Sequence, residues 1–556
     1  MGIERKIFRA IIISCAVIFL IVTPWISKDS FVVPKVVLLF LLAMFLLPLV
    51  IKKARLNFDT KLQKTLIIVT ILFFIHMGIV MFISSAPLEQ QIFGKMGRGL
   101  GFITLTSLLI LTLAVSFYIQ QKDLNFLLNL TIIVFTVSSI YALLQSFGMD
   151  FFNWETKTNA IFGTLGNPNY QSSAAAMVIV PCIFIAKREV KFLFASLILV
   201  VLNIFVIIRT QSIQGIVLTA VGISTVIIIF LFYRSKFLFL SGIVLFILGM
   251  FVAILAMLNQ GPLKGFSVGS FTFYKASVES RGDFWRSAVA ATKDHKFFGV
   301  GLDSFGDYFL TYRDKIAVEH VFSEFTDNSH NYFLEYAVTG GIPLLLYHTL
   351  LLIIVFFAFL RILKNTAQFN KRISSLFIFW FLFQVQSIIS PGSIGLMVFN
   401  SVSAGAIIGL SRSENLFDID PILLSKKPPI KIGILSILFV FLATGLMFPY
   451  ANTDRQYLNA LNSGDASILS ASTKHFPEAT LRYQTASRLL LENKLYPQSL
   501  AVARMAIEFN PRSVAPWAHI FLNPISTLEE KEKAKAELIK LDPNNTDLKN
   551  LEIRAE

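Results

Sequence analysis

Val36-Val37-Leu38-Leu39-Phe40-Leu41-Leu42-Ala43-Met44-Phe45-Leu46-Leu47-Pro48-Leu49-Val50-Ile51 is an unbroken apolar run that stops abruptly at Lys52-Lys53-Ala54-Arg55. A helix made of such residues is apolar on every side, and basic residues at its end mark the return to water. Runs of this kind recur along most of the 556 residues. They give about thirteen candidate membrane spans, near 8–25, 36–51, 64–84, 100–119, 124–147, 171–186, 192–209, 213–233, 237–258, 331–360, 373–390, 394–411 and 431–450. Composition agrees. The chain is 55% hydrophobic, includes 55 Phe, and is only 15% charged, where a soluble chain carries roughly 25%. An ordinary cytosolic enzyme is therefore excluded. The two cysteines, Cys15 and Cys182, both lie inside apolar runs, so no disulfide framework or cysteine metal site is expected.

The net charge of +15 would suit nucleic acid, but its distribution points to the membrane. With the N-terminus inside, roughly 22 Lys and Arg fall on inner loops and roughly six on short outer ones. The inner group includes Arg5, Lys6 and Arg9; Lys52, Lys53 and Arg55; Lys187, Arg188 and Lys191; Arg361 and Lys364; and Lys426 and Lys427. The outer six are Lys28, Lys35, Lys95, Arg98, Lys157 and Arg209. Topology thus accounts for the charge, and no nucleic-acid partner is implied. The first run follows three basic residues as a signal peptide would, yet no small-residue cleavage site follows, so it is expected to stay as an anchor. The expected fold is an all-α polytopic membrane helix bundle in the plasma membrane. Residues 1–450 form the membrane domain, with a large outer loop at 259–330; residues 451–556 form an extracytoplasmic tail.

That tail carries 13 basic and 13 acidic residues, as an ordinary water-facing domain would. Its prolines at Pro477, Pro511 and Pro543 recur with spacings close to the tetratricopeptide period of about 34. Helical apolar patterns run between them, for example Leu481, Ala486, Leu489 and Leu490. Two to three tetratricopeptide-like units are expected. Such an array serves equally well as a plain helical cap or as a dock for a protein or glycan partner.

Chemistry is sought among the polar residues that break the apolar pattern. None of the seven histidines has a recognised metal-binding spacing, and no phosphate-cradling Gly-x-x-x-x-Gly-Lys occurs. The outer loop is richer. Ala276 to Arg286 reads as the start of an amphipathic helix, with Phe284, Trp285, Ala288 and Ala291 on its apolar side, against the membrane surface or over the bundle. Phe297-Phe298-Gly299-Val300-Gly301-Leu302-Asp303-Ser304-Phe305 reads as a glycine-punctuated turn. Asp327-Asn328-Ser329-His330-Asn331-Tyr332 then leads into the tenth span. A histidine at a membrane boundary can act as general base near neutral pH, and a guanidinium can hold a phosphate through forked hydrogen bonds. Equally, such a histidine serves as a polar cap and such an arginine as a snorkelling anchor.

Ser280-Arg281, then Gly299-Val300-Gly301, then Ser329-His330-Asn331-Tyr332-Phe333-Leu334-Glu335 and Gly340-Gly341-Ile342 together resemble the O-antigen ligase and Wzy-like polymerase superfamily. Pro34-Lys35, Gly94…Arg98-x-x-Gly101 and Gly166-Asn167-Pro168-Asn169 agree with it, and the likeness extends over most of 1–411. The resemblance implies a GT-C-like, metal-independent, inverting glycosyltransferase that uses no cofactor. It would move a glycan from undecaprenyl diphosphate to a hydroxyl on a lipid, polysaccharide or protein acceptor at the outer face of the plasma membrane. His330 would be the base and Arg281 would hold the diphosphate, with Arg98, Asn169, Arg286 and Asn331 in support. The sequence departs from the family pattern at 209–215. Gln214 stands where family ligases have a second Arg before Gly, so either Arg209 supplies that cation or the donor is bound differently. A solute or inorganic-carbon permease and a protein O-oligosaccharyltransferase are the alternatives. Polar motifs gathered at one face, rather than midway through broken helices, favour surface chemistry over a permeation pathway.

Overall fold

A computed structural model of the protein describes residues 2–56, 61–152, 154, 161–184, 189–257, 261–265, 267–268, 271–272, 276–320, 325–366, 368–412 and 430–552. Lys157, Lys187, Arg188, Lys426 and Lys427, counted in the charge asymmetry, lie outside them, as do parts of the 259–330 loop.

The chain is an all-α polytopic helix bundle. The apolar runs become α1 (Ile3–Leu20), α2 (Val33–Leu56) and α3 (Lys61–Ile83); then, after the short α4 (Leu88–Phe93), α5 (Phe102–Tyr118), α6 (Leu124–Ser146), α7 (Pro168–Phe184), α8 (Val190–Arg209), α9 (Ile213–Phe232) and α10 (Lys236–Met257). The outer loop contains α11 (Ala276–Asp294), α12 (Phe309–Tyr312) and α13 (Lys315–His320). The bundle resumes with α14 (Tyr332–Asn365), α15 (Lys371–Ser387) and α16 (Ile394–Leu410), and a further helix, Ile430–Ser463, leads into the tail.

Among the described residues, eight of these helices are long and apolar enough to cross a membrane, and α5 and α16 are shorter apolar helices. The remaining candidates are helical as well. Of these, α1 carries Glu4, Arg5, Lys6 and Arg9 in its first turns, while α7 and α15 have 17 residues each, about 26 Å of rise.

Burial divides the bundle. The short helices α5, α7 and α16 are buried almost throughout and form its centre. Gly405 and Gly409 of α16 set one seam there: a Cβ at these positions would come within 2.5 Å of Thr112 O and 2.7 Å of Ser116 O on α5. Small residues let membrane helices approach this closely. By contrast, α10 exposes Phe237, Leu240, Leu245, Ile247 and Phe251 around its circumference. An uninterrupted apolar surface of that size suits lipid.

The outer loop forms its own small core over the bundle from Phe284, Ala288, Ala291, Val300, Phe305 and Val338. The expected amphipathic helix is therefore present as α11, packed on the start of α14.

Beyond Ser463 come helices Ala466–Ser472, Thr480–Glu492, Tyr496–Phe509, Val514–Leu522 and Leu528–Leu541. Tyr457, Tyr483, Ala486, Leu490, Val502 and Ala506 form one tail core, and Leu500, Trp517, Ile520, Ala534 and Leu538 a second. Pro511 and Pro543 each lie just past a helix end.

The helix α14 is broken at Gly341, whose φ of +77° and ψ of 175° suit only glycine. The glycine-punctuated turn is stitched onto this break by backbone hydrogen bonds. Val300 N donates to Val338 O (2.8 Å), Gly301 N to Thr339 O (3.1 Å) and Ile342 N to Lys296 O (2.8 Å). His76 Nε2 also lies 2.7 Å from Gly340 O. Groups that a kink would leave unbonded in an apolar setting are thereby satisfied. A Cβ at Gly341 would lie 2.4 Å from Phe297 O. Gly341→Ala is expected to cost more than about 1–3 kcal/mol and to lower the thermal midpoint in detergent. A midpoint equal to that of the parent protein would refute the glycine requirement.

Candidate active site

The kinked start of α14 supports the Asp327–Asn331 stretch. Asn328 Oδ1 accepts from His330 N (2.9 Å). Asn331 caps α14 by accepting from Phe333 N and Leu334 N (3.0 and 3.1 Å). Ser329 N donates to Glu335 Oε2 (2.8 Å), and Ser329 Oγ to Asn331 O (2.9 Å). Held from both sides, His330 adopts a left-handed φ of +54°, a strained conformation that surrounding bonds must enforce. Its ring lies 5.3 Å from that of Phe284 on α11. Its Nδ1 is buried and has no hydrogen-bond partner among the described residues.

Asp303 clasps the Gly94–Gly101 turn to this layer. Its Oδ2 accepts from Lys95 N (2.7 Å) and Leu100 N (3.0 Å). Burial nevertheless pushes its carboxyl up to about 6. The turn presents Arg98, whose Nε and Nη2 fork onto Asp327 (2.9 and 2.8 Å), while Nη1 donates to Tyr170 Oη (3.2 Å).

Arg281 reaches the same place from α11. It is only 6% exposed, and among the described residues no carboxylate pairs with it. Burial pulls its pKa below the ordinary guanidinium value. A desolvated cation without a counter-ion is costly, and an anionic ligand relieves that cost.

Arg98, Asn169, Arg281 and His330 line one cavity of about 510 Å³, with Lys95, Asp327 and two tail residues, Leu481 and Gln484. Burial, then the charges of Arg98 and Arg281, pull the His330 pKa down to about 4 against the opposing pull of Asp327. The imidazole is therefore neutral at physiological pH, as a general base must be. A second cavity of about 340 Å³ shares Arg98 and Asp327 and is otherwise lined by groups such as Asp29, Lys35 and Asn167. An apolar cavity of about 80 Å³ deeper in the bundle is lined by no Asp, Glu, Lys or Arg and is not part of this site.

The other expected site residues lie elsewhere. Arg209 is exposed on α8, donating to Ser146 O (3.0 Å). Gln214 is buried; its Nε2 donates to Ser390 Oγ (2.6 Å), and its Oε1 accepts from Ser173 Oγ (3.4 Å). Its corner still touches the site indirectly, because Ser212 Oγ donates to Asn169 Oδ1 (2.7 Å). Arg286 does not line the cavity and is paired with Asp283 and Asp314. Asn331 Oδ1 is engaged as the cap of α14.

Lys95, Phe325, Leu481 and Gln484 were not singled out from the sequence. For Lys95 a signal existed: the glycine-rich Gly94–Gly101 turn carries two cations, Lys95 and Arg98. The other three are drawn in by tertiary packing alone.

Residues 197–349 match the family model described as O-antigen ligase. The match runs from α8 through the first half of α14, so it takes in both Arg281 and His330. No curated protein matches the chain. Residues 197–349, which bring Arg281 and His330 to the cavity just described, are thus similar to the O-antigen ligase domain.

Proposed function

We propose that the protein transfers a glycan from undecaprenyl diphosphate to an acceptor hydroxyl at the outer face of the plasma membrane, with inversion and without a metal ion. The observation that carries this reading is the pairing in one cavity of a neutral imidazole, His330, with a buried guanidinium, Arg281, that has no carboxylate partner among the described residues. The acceptor oxygen attacks C1 of the first sugar while the C1–O bond to the diphosphate breaks. The diphosphate keeps the electron pair, and His330 takes the proton. Negative charge grows on the leaving diphosphate, where Arg281 offsets it, with Arg98, held by Asp327, lining the same cavity. In this reading the fixed guanidinium charge supplies that stabilisation. The outer-face assignment rests on the charge asymmetry of the loops.

The test is a reconstituted assay with full-length protein, undecaprenyl-diphosphate oligosaccharide and candidate acceptors. Transfer is expected to persist in chelator. Its pH dependence is specific. A base works only when unprotonated, so activity falls as pH drops through its pKa. For kcat/KM, which reports the free enzyme, the acid limb is expected near 4 rather than at the ordinary histidine value of about 6.5. Bound diphosphate offsets the two guanidinium charges, so the limb for kcat moves to higher pH. A kcat/KM limb at the ordinary value would refute the buried-base assignment, and dependence on added metal would refute metal-free transfer.

A further inference from the structure

The cavity has two chemically different walls. One carries Arg98, Arg281 and His330. The other is made of Met96, Phe325, Leu481 and Gln484, with Lys95 Nζ 5.6 Å from the centre of the Phe325 ring, and its Leu481 and Gln484 come from the first turns of the tail helix Thr480–Glu492. Phe325 and Leu481 are 54% and 42% exposed, so they present apolar surface into open space. Gln484 Nε2 donates to Ser513 Oγ (2.8 Å); among the described residues nothing donates to its Oε1.

The tail is fixed in this position. Arg313 forks onto Asp542 (2.9 and 2.6 Å), with both side chains at most 5% exposed. Arg512 lies 3.7 Å over the Tyr308 ring and donates to Thr311 Oγ1 (2.9 Å). Asn510 Nδ2 bridges Asp307 Oδ2 (3.0 Å) and Thr480 Oγ1 (3.1 Å), and Thr480 in turn donates to Gln90 Oε1 (3.3 Å). Thr480 directly precedes Leu481, so the cavity wall is anchored at its base.

A diphosphate is drawn to the charged wall, and a polyprenyl chain belongs in lipid. The remaining ligand part is the glycan. Sugar rings bind surfaces that pair apolar contact for their C–H faces with amide groups for their hydroxyls. Building on the proposed glycan transfer, we propose that the tail helix Thr480–Glu492 is the saccharide-binding wall of the active site, with Leu481 and Gln484 as specificity-determining residues. In this arrangement the tail is part of the site rather than a remote dock. The saccharide held there is either the acceptor or the glycan of the donor.

The experiment measures kcat and KM in the full-length reconstituted protein for Leu481→Trp and Gln484→Ala. Leu522→Ala, at an exposed tail position away from the cavity, is the control. Donors carrying one sugar or several are compared, each with a saccharide acceptor. Both cavity variants are expected to raise one KM by about three- to tenfold, the range of one lost polar or packing contact, with kcat within about twofold and the thermal midpoint unchanged. A rise for the acceptor alone assigns the wall to the acceptor. A rise for the longer donor but not the single-sugar donor assigns it to the donor glycan. Parent KM values for all substrates, or a fall in kcat with KM unchanged, would overturn the proposal. The parent protein and a His330→Ala arm separate the ideas: no transfer by the parent defeats the glycan-transfer reading itself, continued transfer in His330→Ala defeats only the base assignment, and unchanged KM in the tail variants of an active parent defeats only the saccharide wall.

Discussion

His330→Ala is expected to lower glycan transfer by about 10²- to 10⁴-fold, the range for loss of a positioned general base, with the protein still inserted and expressed. The bonds that shape the Asp327–Asn331 stretch run through the His330 backbone and its neighbours, not through the imidazole. Removing the ring therefore leaves the scaffold in place. Alanine at a left-handed φ carries a strain of roughly 1–2 kcal/mol, so His330→Asn is the companion variant. Asparagine tolerates that backbone conformation better, yet brings no base. Both should be inactive in the reconstituted assay, with thermal midpoints close to the parent. A glycan product ladder unchanged in either variant would dispose of the base assignment.

Arg281→Lys is expected to reduce kcat by about 10²- to 10³-fold, the scale for losing a transition-state anion contact. Lysine keeps the charge but not the planar fork that matches two phosphate oxygens. The stability readout distinguishes this site from its neighbour. Arg281 is buried without a carboxylate partner among the described residues, so Arg281→Met removes a desolvation cost and should leave the thermal midpoint equal or higher. Arg98→Met should lower it, because Asp327 loses its forked partner. A site that is less stable than it could be, in exchange for activity, is common among enzymes. Donor turnover at the parent rate in Arg281→Lys would show that the diphosphate is held elsewhere.

Much of this was readable from the chain because membrane helices announce themselves locally. Each of the apolar runs is a helix, since a run such as 36–51 needs no knowledge of its partners to be helical in hydrocarbon. That Arg98, Arg281 and His330 line one cavity could likewise be anticipated, because Arg98 and His330 sit in short polar motifs just before apolar runs and Arg281 in the polar stretch that opens α11. Arg209, Gln214 and Arg286 fared differently. They are near the right places in sequence, but the face each presents depends on neighbours far along the chain. Gln214 turns to Ser390, 176 residues away, and Arg286 to Asp314. The contribution of Leu481 and Gln484 is beyond any local pattern, because it depends on the tail folding back through Arg313 and Asp542, 229 residues apart.

That long-range ion pair has a practical corollary. Cutting the chain after Ser463 would remove Asp542 together with the tail residues packed around Arg313, and with them the forked ion pair that joins the outer loop to the tail. A shortened protein would thus be altered at the outer loop as well as in the tail, and its activity would not separate the two effects. Point substitutions on the intact polypeptide are the informative route, and hybrid proteins that exchange tails between relatives need to carry both halves of the couple together.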